Sequence, residues 1–158
     1  MLVDIIFNGY LSLLNLKFLK DFVLYSKKVR VHYPEDSVAE SFEEIGAILN
    51  SNGYADLTIE TDFLDINGIS VEKVFIGFTK NDESFELLFF FDILDLKQVN
   101  IKEAFGELMY WTDLFKNKYS FNHYVCQMDN GNKNEYYFDI NGLGPLYKEA
   151  IDDFEANL

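Results

Sequence analysis

The sequence predicts an α+β fold: an antiparallel sheet of about five to six strands with three to four helices packed on it. Three observations predict it. Segments that alternate apolar and polar residues cluster as hairpins between helical segments, which favours an antiparallel sheet over a doubly wound one. Two helix starts carry the spacing of a capping box, at Ser37 and at Asn100. Of the 158 residues, 49% are hydrophobic and 17% aromatic, enough to bury a core without covalent staples. With no Gly/Ser-rich linker and only two prolines, the length fits a single domain over residues 1–158.

The elements read in order as (β)-α-β-α-β-β-β-α-β-β-α. The apolar start, Met1 to Phe7, lacks the basic flank of a signal peptide, because no Lys or Arg precedes Lys17. Leu11, Leu14, Phe18, Phe22 and Tyr25 recur at helical spacing and predict a helix over 11–25. Val29 to Tyr33 alternates as a strand and stops at Pro34. The Ser37-Val38-Ala39-Glu40 box then predicts a helix with Val38, Phe42, Ile45 and Leu49 inward, closed by Asn52-Gly53 as a left-handed cap.

A strand-rich block follows. In 56–63, Leu57, Ile59 and Phe63 point one way, and Asp56, Thr58, Glu60 and Asp62 the other. Asn67-Gly68 marks a turn, Val71 to Thr79 a strand, and Lys80 to Ser84 a polar loop. Phe85 to Ile93 is almost wholly apolar and predicts a central strand covered on both faces. Asn100 opens a helix with Phe105, Leu108, Trp111 or Thr112, and Phe115 on its inner face. Phe121 to Met128 and Glu135 to Ile140 flank a turn-rich loop as a hairpin. A last helix starts near Pro145, with Tyr147, Ile151 and Phe154 on one side and Glu149, Asp152, Asp153 and Glu155 on the other.

Charge narrows the function. The formal net charge is −14, from 27 acidic and 13 basic side chains. Residues 1–32 hold five basic groups against two acidic, a net of +3, so the other 126 carry eight against 25, a net of −17. Nucleic-acid binding needs clustered Lys and Arg, and Arg30 is the one arginine. No uncharged run is long enough to span a membrane. The lone thiol, Cys126, fits a reducing cytoplasm.

Catalytic and ligand motifs fail on spacing. Gly142-Leu143-Gly144 has Tyr147 where a third glycine of a phosphate loop would stand, and reads as a turn before a helix. His32 and His123 show no zinc spacing, and His123 and Cys126 fall on opposite faces of a strand. The Asp129 to Glu135 loop has its glycine three positions early for calcium. No cofactor and no metal are expected.

The acidic excess goes beyond the about 2–8 charges that keep a small domain soluble, and a basic protein partner accounts for it. Asp56, Glu60 and Asp62 would meet a row of Lys or Arg, with Asp82 and Glu83 in the polar loop extending the set. Tyr136 and Tyr137, beside Glu135 and Asp139, suit aromatic anchors. The run Glu135-Tyr136-Tyr137-Phe138-Asp139-Ile140-Asn141-Gly142-Leu143-Gly144-Pro145-Leu146-Tyr147, on a small acidic chain without a catalytic motif, resembles stretches of bacterial toxin immunity proteins, including those of contact-dependent growth inhibition. That resemblance implies a cytoplasmic, non-enzymatic inhibitor that occludes a toxin C-terminal domain, many such toxins being basic nucleases. Two other classes stay open: a small-molecule-binding or hydrolytic domain with an aromatic pocket converging on His32, His123 or Cys126, and an acidic adaptor module.

Overall fold

The computed structural model describes the backbone of residues 1–129, 131–132 and 134–156, and the side chains of those up to 152. Along the chain come β1 (Leu2–Tyr10), α1 (Lys17–Leu24), β2 (Ser26–Tyr33), β3 (Ser37–Ala39), α2 (Phe42–Ser51) and β4 (Tyr54–Thr61). A small hairpin follows, β5 (Leu64–Ile66) and β6 (Ile69–Val71), then β7 (Val74–Asn81), β8 (Ser84–Asp92) and a single 3-10 turn (Ile93–Leu96). The rest is α3 (Ile101–Tyr119), β9 (His123–Met128), β10 (Tyr136–Asp139), β11 (Gly142–Leu143) and α4 (Leu146–Ala156). Among the described residues, nine strands form one antiparallel sheet, ordered β11-β10-β9-β1-β8-β7-β4-β2-β3.

Alternation sorts each strand into a core side and an open side. Register places Val3, Ile5 and Phe7 of β1 beside Phe91, Phe89 and Leu87 of β8, all buried. The same layer continues through Ile76 and Phe78 on β7, Leu57 and Ile59 on β4, and Val29 and Val31 on β2. The helices pack on this side. Phe115 of α3 meets Phe7 at 4.8 Å and Phe89 at 5.6 Å between ring centroids, while Phe18 of α1 meets Phe115 at 5.7 Å. Such edge and tilted ring contacts each add roughly 0.5–1.5 kcal/mol beyond burial.

The α+β class and antiparallel sheet agree with the sequence reading, but the sheet has nine strands rather than five to six. The extra strands are short or split. β3 and β11 span three and two residues, too few for a periodic signal. Residues 71–79 divide into the end of β6 and the start of β7, broken at Lys73, whose φ is 57°. The expected polar loop over 80–84 is a two-residue turn, Asp82-Glu83, with Lys80 and Asn81 inside β7. Asn67 and Gly68 both take positive φ, 54° and 84°, and close the small hairpin as the turn signal implied.

Three helix expectations also shift. The first helix covers only Lys17–Leu24, because the chain leaves β1 and turns through Tyr10–Leu14 before it can start. Ser37 opens a strand, and the working capping box lies four residues on: Ser41 Oγ accepts from Glu44 N at 3.2 Å, while Glu44 Oε2 accepts from Glu40 N at 3.0 Å. Asn52 is extended at φ −132°, not left-handed. The end of α2 is satisfied instead by buried Lys80, whose Nζ donates to Leu49 O at 2.5 Å and Asn52 O at 2.6 Å. By contrast α3 starts as read, with Asn100 Oδ1 accepting from Glu103 N at 2.9 Å, and Phe105, Leu108, Trp111, Thr112 and Phe115 are all buried. The Phe154, Asp153 and Glu155 side chains expected on α4 lie outside the described ones.

Candidate functional site

Among the described residues, the helices pack on one face of the sheet, and this locates the exposed chemistry. β8 was expected to be covered on both sides. Phe85, Leu87, Phe89 and Phe91 are buried against the helices, whereas Glu86, Leu88 and Phe90 look out on the open side. Across that side, Ile6, Leu88, Gly77, Thr58 and Arg30 form one cross-strand row. A parallel row runs Phe90, Phe75, Glu60, Lys28, and a third runs Asn8, Glu86, Thr79, Asp56. An apolar strip thus lies between acidic groups, with Phe75 45% exposed within it. Contacts of this composition suit a protein interface better than a buried layer.

The third row ends in a concavity of about 460 Å³, lined by Asn8, Tyr10, Tyr54, Thr79, Asn81, Ser84, Glu86 and Asn122 among others. Hairpin geometry builds it. Asn81 pairs with Tyr54 and Ser84 with Tyr10, so the β7–β8 turn brings β1 and β4 residues to the same end of the sheet. Asp82 N donates to Gly53 O at 2.6 Å and Leu11 N to Glu83 O at 2.8 Å, which pins the turn from both sides. The Tyr33 and Tyr54 rings meet edge to face at 5.0 Å. Thr79 Oγ1 donates to Asp56 Oδ1 at 3.1 Å. Partial desolvation, and then the neighbouring Asp56 charge, push the Glu86 carboxyl above its ordinary 4.5.

The structure brings some expected residues together and separates others. Asp56 and Glu60 share the open face of β4, and Asp82 and Glu83 stand at the turn beside the concavity. Asp62 falls past the end of β4 and pairs with Lys27 at 2.8 Å. Phe63, expected inward with Leu57 and Ile59, is 47% exposed, because Thr61 is the last buried residue of that strand. Glu135, Tyr136 and Asp139 sit far off around β10, near one edge of the sheet. Tyr137 is not a surface anchor: a register shift between Tyr136 and Phe138 turns it inward, where it is 6% exposed and meets Phe105 at 4.9 Å.

Glu86, Tyr10 and Tyr54 line this concavity, and the sequence reading does not single them out. The signal for Glu86 was present, since a lone carboxylate inside an apolar strand contradicts a strand covered on both faces. Tyr10 and Tyr54 fall at strand ends, where single exposed aromatics carry no pattern.

Of the residues named for the catalytic alternative, His32 on β2 is separated by four strands of the sheet from His123 and Cys126 on β9. His32 Nε2 lies 2.7 Å from Thr58 Oγ1 at the exposed surface, while Cys126 is fully buried, its thiol pushed well above 9.0 by burial and then by Asp4. A second cleft of about 550 Å³, on the helix side, is floored by Phe18, Phe22, Trp111 and Phe115, and includes neither histidine nor the cysteine. Among the described residues no group of three His, Cys, Asp or Glu could hold a metal ion. Among the described residues no helix is long and apolar enough to cross a membrane.

A family model described as PABL017 Cdi1I immunity protein matches residues 4–141. No curated protein matches the chain. Among solved structures, a chain of the crystal structure of the toxic C-terminal tip of CdiA from Pseudomonas aeruginosa in complex with immune protein is similar at 16% identity. The match covers 92% of this chain and 97% of that one, with a TM-score of 0.66. At that identity the likeness shows the fold.

Proposed function

We propose, on the premise that the chain belongs to the PABL017 Cdi1I immunity protein family, that it neutralises a cognate CdiA-type toxin domain by stoichiometric, non-enzymatic occlusion. The immunity role rests on the family match over residues 4–141. The open sheet face supports the mechanism: Asp56, Glu60 and Glu86 flank an apolar strip that none of the described helices covers. Carboxylates in this arrangement would stand in for substrate phosphates against the Lys and Arg of a basic, nuclease-like toxin. The apolar strip would exclude water from the contact. Binding would take place in the cytoplasm, where such a toxin acts.

Co-expression with the toxin encoded beside its gene tests this reading. Cells should survive, and a one-to-one complex should be isolable. A chain that neither rescues growth nor binds that toxin contradicts it.

A further inference from the structure

The concavity at the β7–β8 end of the open face deepens this reading and rests on it. Glu86 lines a space of about 460 Å³. Among the described residues, no cation or hydrogen-bond donor reaches its carboxylate. Asp56 stands next in the same cross-strand row, beyond Thr79. The remaining lining is uncharged and rich in acceptors and rings: the amides of Asn8, Asn81 and Asn122, and the side chains of Tyr10 and Tyr54, 51% and 42% exposed. Among the described residues, no Lys or Arg lines the space. Among the described residues, Lys28 and Arg30 of β2 do share the open face, Lys28 opposite Glu60 and Arg30 paired with Asp36 at 3.4 Å.

The Glu86 carboxylate, the Asp56 carboxylate that holds a single bond from Thr79, amide oxygens and exposed rings together fit a planar cation. A guanidinium presents five N–H donors in a fixed fork and lies flat on aromatic faces, whereas an ammonium is a point charge with no plane to stack. We infer that this socket receives an arginine side chain projecting from the toxin, with Glu86 and Asp56 accepting its N–H groups and Tyr10 and Tyr54 flanking its plane.

A double-mutant cycle tests the inference. Dissociation constants are measured by calorimetric titration of the full chain with the toxin C-terminal domain encoded beside it. Parent, Glu86→Gln, Tyr54→Ala and Glu60→Gln are each paired with single Arg→Ala and Lys→Ala variants of the toxin. Glu86→Gln should weaken binding at least tenfold while leaving the melting temperature unchanged or higher, which separates lost contact from misfolding. Tyr54→Ala should also weaken binding. One toxin arginine should lose most of its effect once Glu86 is Gln, and should add independently to Glu60→Gln. Parent-like binding by Glu86→Gln overturns the socket, and coupling to a lysine overturns the guanidinium assignment. If the parent chain fails to bind the toxin at all, the neutralisation reading falls first and takes the socket with it.

Discussion

Glu86 lies on a strand whose other face is all core, and its carboxyl is raised above 4.5 by partial desolvation and by Asp56. A raised carboxyl means that the folded chain holds its proton to higher pH than the unfolded chain does. The contribution of this group to stability is therefore greatest at low pH and declines as pH climbs from about 4.5 through the raised value. Glu86→Gln should accordingly raise the melting temperature at pH 7, and the gain should vanish below the ordinary glutamate range. Thermal melts across pH 4–8 check this, and a variant less stable at pH 7 would contradict it. Removing Lys80 should instead weaken the fold. Its ammonium caps Leu49 and Asn52 carbonyls from a nearly closed site, so Lys80→Met leaves those acceptors unmet. Loss of these charge-assisted bonds should cost about 2–4 kcal/mol in denaturant unfolding. Gly144 is fixed by proximity, since a Cβ there would run into the Tyr136 ring and carbonyl oxygen.

At the scale of elements, capping decides where helices begin, and one change tests the reassignment of α2. Ser41→Ala removes the acceptor for Glu44 N and should cost about 0.5–2 kcal/mol, while Ser37→Ala, on an exposed strand, should cost much less. Chemical denaturation of the two variants distinguishes the two boxes. Both boxes have the same spacing in sequence, and only the pairing of Ser37 with Val31 on β2 removes the first from the helix. Long elements were legible for physical reasons: α3 combines a cap with nineteen residues of 3.6 periodicity, and β8 with its apolar run read as central. What stayed hidden depends on distant partners. β11 exists only because Leu143 pairs with Phe138, and Tyr137 turns inward only because β10 bulges against β9. Glu86 faces outward because helices cover the other side of the sheet, a choice that no strand carries locally.

Over the whole molecule, the net charge of −14 acts in two opposite directions. Self-repulsion weakens the free fold, and salt screens it, so moderate salt should raise the melting temperature of the free chain. On the proposal that the toxin is basic, the same salt should weaken its complex, because opposite charges would steer and hold the partners. Parallel melts and binding titrations over 0.05–0.5 M salt (on the order of Debye lengths falling from above 10 Å to a few ångströms) check that crossing of trends. Acidic groups on β4 and β8 converge across an open sheet, whereas Glu135, Tyr136 and Asp139 lie on a separate edge, so one interface need not use both. The most direct measurement is the affinity of an Asp56→Lys/Glu60→Lys double variant for the toxin, taken with its ability to protect co-expressing cells. Occlusion by the open face predicts a folded variant that binds at least a hundredfold more weakly, about 2.7 kcal/mol, and no longer protects. A folded double variant that binds and protects like the parent would contradict it.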